Sequence, residues 1–303
     1  MNAPEQLADD TQRGLYQKFN VTRTDGSDSP GERNHGHRYL VLDLDKLATD
    51  AHAKAAVIAY AESCEDDYPQ LAADLRGFTD RILPGAFVTV PETTLPNGTV
   101  VPAFQVSQYH ATQRPDGTPW VEVDYHASRA AAERAGLALI TELQWLAIAH
   151  NIAQQPINWT SGTVGEGKLF QGLRKGSVSE AQPHSYEPED ADERRWHELS
   201  NGERIYDMAG HVFSWVFDDV QGDEKGLIAS RFAGDSPSLT TAPAGSMEKG
   251  VGWMPNAGAN WSGAALCRGG CWRSVDNAGV FRLYYGWPEH GDDHVGFRCT
   301  KRL

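Results

Sequence analysis

Ala265-Leu-Cys-Arg-Gly-Gly-Cys-Trp-Arg-Ser-Val-Asp-Asn-Ala-Gly-Val-Phe-Arg-Leu-Tyr-Tyr-Gly-Trp-Pro-Glu-His-Gly-Asp-Asp-His-Val-Gly-Phe-Arg-Cys299 carries most of what this chain says about its fold. Gly269-Gly270 permits a backbone bend that no other residue pair makes cheaply. Trp272 has the size of a core anchor. Val280 to Tyr285 and Val295 to Cys299 read as short strands. Two groups in the stretch invite a chemical reading. Cys267 and Cys271 form a C-x3-C pair, yet residues i and i+4 of a strand stand roughly 13 Å apart. A disulfide would need a tight turn at Gly269-Gly270, and a metal knuckle usually needs a second pair. Two small side chains explain the spacing more simply. His290-Gly-Asp-Asp-His294 gathers two imidazoles and two carboxylates, a donor set that suits a divalent ion. An exposed polar loop before the strand at Val295 accounts for it with fewer assumptions.

The surroundings set broader limits. The chain has 303 residues, 40% of them hydrophobic and 22% charged. That suffices for one large or two ordinary domains and excludes wholesale disorder. Thirty Gly and 16 Pro favour turns over long helices. Lys and Arg total 27 against 41 Asp and Glu, a net charge of −14. Such a surface repels phosphate backbones and anionic bilayers, so neither nucleic acid nor membrane is an expected partner. No apolar run approaches the roughly 20 residues that span a bilayer. Met1-Asn2-Ala3-Pro4-Glu5-Gln6 lacks the basic and apolar regions of a secretory signal. Cys64, Cys267, Cys271 and Cys299 are too few and scattered for a disulfide framework, so reduced thiols are expected.

Along the chain, residues 1–77 read as a small α/β module and 78–303 as a second domain. Arg38 to Leu44 alternates like a strand. Thr49 or Asp50 can cap an Ala-rich helix reaching about Cys64. A short helical segment through Leu71 and Leu75 should end near Gly77. Pro96-Asn97-Gly98 marks a turn between Phe87–Val90 and Val100–Phe104. Helices are expected over His126–Ala135, stopped by Gly136, and Thr141–Ala153, with Thr141 as N-cap and Glu142 in the first turn. Thr160 to Asn201 reads as a long polar surface loop. Trp145, Trp215 and Trp272 are the expected core anchors. There is no nucleophile elbow, zincin helix, phosphate loop or dinucleotide fingerprint. His35-Gly36-His37 lacks a third ligand nearby and reads as a solvated loop.

Four segments occur in the order of a known pattern. Leu139-Ile-Thr-Glu-Leu-Gln-Trp145 resembles the LPTEAEW helix start of the formylglycine-generating-enzyme (sulfatase-modifying factor) superfamily. Arg204-Ile-Tyr-Asp-Met-Ala-Gly-His-Val-Phe-Ser-Trp215 resembles its GLYDMAGNVWEW signature. Arg268-Gly-Gly-Cys-Trp272 resembles RGGSW, and Val295-Gly-Phe-Arg298 resembles the terminal GFR. The resemblance implies an α+β, C-type-lectin-like fold: loop-rich, with small antiparallel sheets and two helices. It also implies departures. The two copper-binding cysteines of the oxidising enzymes fall at Ser274 and Gly279, so thiol–copper chemistry has no ligands. The calcium-associated Asn and Glu are replaced by His211 and Ser214, which puts calcium in doubt. The first unit is too short for the helical domain that brings iron ligands to the related sulfoxide synthases.

The 265–299 stretch is also similar to the variable region of diversity-generating-retroelement proteins, with the frame RGGxW, AGVFxL and GFRC intact. In that family, adenines in chosen codons are randomised while the frame persists. The implied exchangeable, ligand-binding positions are Cys271, Arg273, Ser274, Val275, Asp276, Asn277, Arg282, Tyr284, Tyr285, Gly286, His290, Gly291, Asp292, Asp293 and His294. Every one of these residue types is reachable from an Asn codon by changing adenines alone. Arg268, Gly269, Gly270, Trp272, Trp287, Gly296, Phe297 and Arg298 would form the scaffold; neither Trp287 nor Glu289 is reachable that way. Tyr and Trp offer contact area at low rotamer cost, and the charged residues offer specificity. The implied function is recognition of a protein or glycan on a cell surface, without catalysis, metal or cofactor. A metal-dependent oxidase and a purely structural virion component are the alternatives. Residues 16–26 and 50–56 resemble a small bacterial and prophage module of unknown role. Oligomeric state stays open, and so does location: cytosolic and virion-associated both fit.

Overall fold

The computed structural model describes residues 20–303 except 48, 49, 84 and 246. Thr49 and residues 1–6 and 16–19 lie outside the described residues. The chain divides into two compact units, Met1–Ala56 and Val57–Leu303.

In the first unit, Asp25 Oδ1 accepts from both the amide and the hydroxyl of Ser27, and Asn34 Nδ2 donates to Ser27 Oγ, pinning a series of turns. The strand expected over Arg38–Leu44 is absent; no strand occurs among the described residues before Phe87. The segment makes no ladder, its last residue opens the 3-10 turn Leu44–Lys46, and Leu40 is 78% exposed. Alternation alone does not make a strand without a ladder partner. Helix α1, Ala51–Ser63, follows, and Asp50 caps it by accepting from Ala53 N at 2.9 Å. Helix α2, Pro69–Thr79, starts on proline and runs through Gly77 to Thr79, two residues past its expected end.

The remaining elements are β1 (Phe87–Val90), β2 (Thr93–Thr94), β3 (Val100–Val101), β4 (Phe104–Ser107), α3 (Tyr125–Arg134), β5 (Ala138–Leu139), α4 (Glu142–Ala153), β6 (Trp196–Glu198), β7 (Arg204–Tyr206), β8 (Phe213–Val216), α5 (Pro237–Thr240), β9 (Ala265–Arg268), β10 (Leu283–Gly286), β11 (Val295–Phe297) and β12 (Cys299–Arg302). One sheet has the order β1-β4-β12-β5 and is antiparallel throughout. The other runs β10-β9-β8-β11, antiparallel except for the parallel β8/β11 pair. Pro96-Asn97-Gly98 does form a turn, but it joins β2 to β3; β1 pairs instead with β4. Few helices, two small sheets and two short ribbons make the α+β, loop-rich, C-type-lectin-like build expected from the sequence motifs. No helix of the described residues is long and apolar enough to cross a membrane.

Asp124 caps α3 through Ala127 N at 2.7 Å. Thr141 and Gln144 form a reciprocal capping box on α4. Trp145, Trp215 and Trp272 are all buried to 1% or less, as expected of anchors. Trp145 Nε1 donates to Val280 O and Trp215 Nε1 to Val123 O, so each polar edge is satisfied inside the core. The expected surface loop 160–201 is a correction. Leu169, Leu173, Glu193, Arg195, His197 and Leu199 within it are buried, and it contains β6. Residues 160–168 are exposed as expected, but other polar groups of the segment serve the interior: Glu193 Oε1 accepts from the amides of Arg174 and Lys175.

Candidate functional site

The stretch from β9 to β11 is held by a rigid underside. Arg268, fully buried, pairs with the equally buried Glu142 of α4 through Nε–Oε2 at 3.0 Å and through Nη2–Oε1. Its Nη1 donates to Phe281 O at 2.8 Å, tying together the two flanks of the segment. Gly269 and Gly270 take φ of +91° and +95°. A Cβ on Gly270 would come within 2.9 Å of Ala278 Cα, so glycine is required twice over. Gly279 has no room either: a Cβ there would lie 2.3 Å from Gly252 N. At the other end a Cβ on Gly296 would meet Trp120 O at 2.8 Å, and Phe297 and Arg298 are fully buried. Arg298 donates to Ser107 O, Gln108 O and Tyr206 O, fastening the β11–β12 junction to the end of β4 and to β7.

Other side chains of the stretch reach solvent. Arg273, Val275, Asp276, Asn277, Tyr284, His290, Asp292 and Asp293 are exposed, and Ser274, Arg282, Tyr285 and His294 are partly exposed. Ring contacts link Tyr284, Tyr285 and His294. Tyr284 lies 5.2 Å from Tyr285 and 6.0 Å from Phe213, which is 6.2 Å from His294. His294 Nδ1 is 2.7 Å from Asp293, whose other oxygen accepts from Arg273 Nη2 at 2.6 Å. Those two bonds hold the Asp293 carboxyl below the usual range, the His294 bond most. Tyr285 contacts Trp287 at 6.3 Å between centroids and Trp261 at 4.8 Å.

Several residues fall elsewhere than the codon argument puts them. Cys271 is buried at 4% exposure and contributes no surface. Gly286 packs on Trp215, with a hypothetical Cβ only 2.5 Å from the ring, and Gly291 would meet the Glu122 backbone at 2.5 Å. These three sit where the frame leaves no volume for exchange. Conversely, Trp287, placed in the scaffold from sequence, is 59% exposed and stands on the face. Trp253 and Trp261, from a segment the sequence reading passed over, complete the aromatic surface. The count of nine Trp was the one available hint.

Val275 has a left-handed backbone, φ +49°, while 55% exposed. A β-branched residue is a poor choice there. It is the kind of local misfit expected where residue identity is not chosen for local stability.

A second cluster lies inside. His110, Asp207 and His211 bring one donor atom each within 4.8 Å of one another. Most of their polar atoms are already engaged. Asp207 accepts both forks of Arg195 at 2.8 and 2.7 Å. His211 Nε2 accepts from Gln182 N at 2.8 Å, leaving its protonated Nδ1 3.2 Å from Asp207. His110 Nε2 meets Ser214 Oγ at 2.8 Å, and Arg298 sits 3.4 Å from His110 Nδ1. Burial alone would raise the Asp207 carboxyl, but attraction to His211 and Arg195 outweighs it and holds it well below the usual range. Burial and Arg298 push His110 well down. Two guanidiniums beside satisfied donors make this a hydrogen-bonded strut, not a cation cage. His211 and Ser214, which replace the calcium-associated residues, belong to it.

A cavity of about 890 Å³ opens elsewhere, lined by Phe87, Tyr109, Ala111, His184, Cys299 and Lys301 among others. Burial pushes the Cys299 thiol up to about 12, so it is a poor thiolate source. Cys64, Cys267, Cys271 and Cys299 are all free and buried. His35 and His37 lie in exposed turns, and His35 Nδ1 contacts Asp28 O.

No protein-family model matches the chain. No curated protein matches it either. Among solved structures it is similar to Treponema denticola variable protein 1, at 15% identity and TM-score 0.38, over 74% of this chain and 93% of that one. It is similar to the Major Tropism Determinant I1 variant at 12% identity and TM-score 0.37, over 66% of this chain and 50% of that one. It is similar to CarF at 13% identity and TM-score 0.43, over 73% of this chain and all of that one, 100%. Variable proteins and a tropism determinant thus stand among the neighbours, at scores low enough that the functional argument rests on the residues.

Proposed function

We propose that residues 78–303 form a ligand-recognition domain whose face at 273–294 has exchangeable side chains. Its natural target is a protein or glycan on a cell surface. The observation that carries the reading is the separation of roles within one 35-residue stretch. Arg268, Gly269, Gly270, Trp272, Phe297 and Arg298 are buried, while Arg273, Asp276, Asn277, Tyr284, Asp292 and Asp293 are exposed. Exchange of the second set leaves the first untouched. The domain acts by binding, because Ser274 and Gly279 supply no thiolates, and Gly279 could not hold one without moving Val251 and Gly252.

The test is genetic. Near the gene there should be a reverse-transcriptase gene and an adenine-rich near-copy of the codons for 265–299. Sister isolates should differ at adenine-derived codons of the exposed set. Isolates that differ instead at random positions, with no such copy, would end the proposal. Stoichiometric copper or iron in the purified protein, with oxygen uptake on thiols, would favour the oxidase alternative.

A further inference from the structure

Arg282 is an arginine of the face that the structure holds ready but leaves without an opposite charge among the described residues. Its guanidinium carbon lies 4.8 Å from the Trp253 ring centre and 5.0 Å from that of Tyr284, within cation–π range of both; the two ring centres are 6.4 Å apart, so the group sits in the corner they form. Its stem is fixed from below: Gly252, at φ +90°, presses so close that a Cβ there would come within 2.9 Å of Arg282 Cβ. The Nε is buried and has no hydrogen-bond partner, and no carboxylate of the described residues pairs with the group. The contrast with its neighbours is sharp. Arg273 is paired with Asp293, Arg268 with Glu142 and Arg195 with Asp207. Burial depresses the Arg282 basicity, as it does for a cation lacking a counter-charge.

We infer that Arg282, seated in the corner formed by Trp253 and Tyr284, is the specificity-determining anchor of the face and takes a carboxylate presented by a polypeptide target. This deepens the recognition proposal and rests on it. Two adjoining rings restrict the guanidinium to a few orientations, so less rotamer freedom is lost on binding. The remaining N–H edge matches a carboxylate in the two-point geometry that arginine makes and lysine does not. Desolvation by the two rings strengthens that pairing. The rest of the face argues against an extended polyanion. Asp276, Asp292 and Asp293 are exposed within the same 265–299 stretch, and the chain carries −14 overall. A single acidic side chain within a mixed protein epitope meets Arg282 without crowding those aspartates.

The experiment uses the full chain and a displayed library of random cyclic peptides. Peptides are kept that bind the parent and fail to bind Tyr284→Ala/Tyr285→Ala. They should be enriched in Asp or Glu at one position. Arg282→Gln should weaken them at least ~10-fold with an unchanged melting temperature, the size expected for one lost charged pair. Changing the peptide Glu to Gln should cost the same on the parent and nothing further on Arg282→Gln. Arg282→Lys, which keeps the charge and loses the fork, should fall between. Face-dependent peptides with no acidic preference, or indifferent to Arg282→Gln, would overturn the inference while recognition by the face stands. An absence of any face-dependent peptide would overturn both. Arg282-dependent binding of sialyllactose or a heparin fragment, with no such peptides, would overturn the polypeptide target.

Discussion

Changing Glu142 to Gln should cost this protein far more than any change on the recognition face. The carboxylate accepts from Arg268 at two atoms and from Ser238 Oγ at 2.6 Å, all with no solvent access. An amide keeps one acceptor oxygen, removes the counter-charge and turns an NH2 toward one guanidinium N–H, which leaves Phe281 O at 2.8 Å and a long contact to Ser238 O at 3.4 Å as the other acceptors. Removing one partner of a buried pair costs about 3–5 kcal/mol, because the survivor stays charged and dry. For a domain of this size, about 2–4 °C of melting temperature per kcal/mol gives a fall of roughly 6–20 °C. Arg268→Met combined with Glu142→Gln should recover a large part of the loss, since no orphan charge remains. Arg273→Ser is the control: its pair with Asp293 has side chains 55% and 48% exposed, and such pairs contribute about 0–1 kcal/mol. Thermal melts followed by near-ultraviolet circular dichroism would read all four proteins. If Glu142→Gln melted within about 2 °C of the parent, or Arg273→Ser cost as much as it, the division into frame and face would be wrong.

Other perturbations follow from single observations. Val275→Gly should raise the unfolding free energy by about 1 kcal/mol in urea titrations, by relieving the left-handed backbone at φ +49°; a loss would show the strain to be compensated. Gly279→Cys, which rebuilds one ligand of the copper enzymes, should destabilise by about 1–3 kcal/mol or more by forcing a Cβ against Val251 and Gly252. A Gly279→Cys protein as stable as the parent would reopen the oxidase reading. Asp218 is buried, its Oδ2 lacks a partner, and burial raises its carboxyl to about 6. The folded state therefore binds a proton that the unfolded chain has released, so this group's contribution falls as pH rises from about 4 to 6. Relative to Asp218→Asn, the parent should lose stability across that window, and a flat difference in urea melts at pH 4, 5 and 6 would contradict the shift.

Much of the frame was legible because its requirements are local. Thr141 with Gln144, the Gly269-Gly270 bend and the three anchoring tryptophans each declare themselves within a few residues. Legibility ended where burial depends on distant chain. Arg38 to Leu44 alternates well but finds no ladder. Residues 160–201 read as surface throughout because buried Arg174, Glu193, Arg195 and His197 look like solvated side chains in the sequence. Codon chemistry marks Cys271, Gly286 and Gly291 as exchangeable without knowing that Trp215 and Glu122 fill the space beside the two glycines. Codon chemistry puts Trp287 in the fixed scaffold, while the tertiary structure places it beside Tyr285 on the surface. Trp253 and Trp261 join the face through contacts that no spacing in the sequence encodes.

Randomising Arg273, Asp276, Asn277, Tyr284, His290, Asp292 and Asp293 together, then measuring the share of the library that resists protease, tests the central claim most directly. The account predicts a resistant share near that of the parent, because these side chains lie above a frame they do not support. A library as depleted as one randomised at Arg268, Trp272 and Arg298 would contradict it.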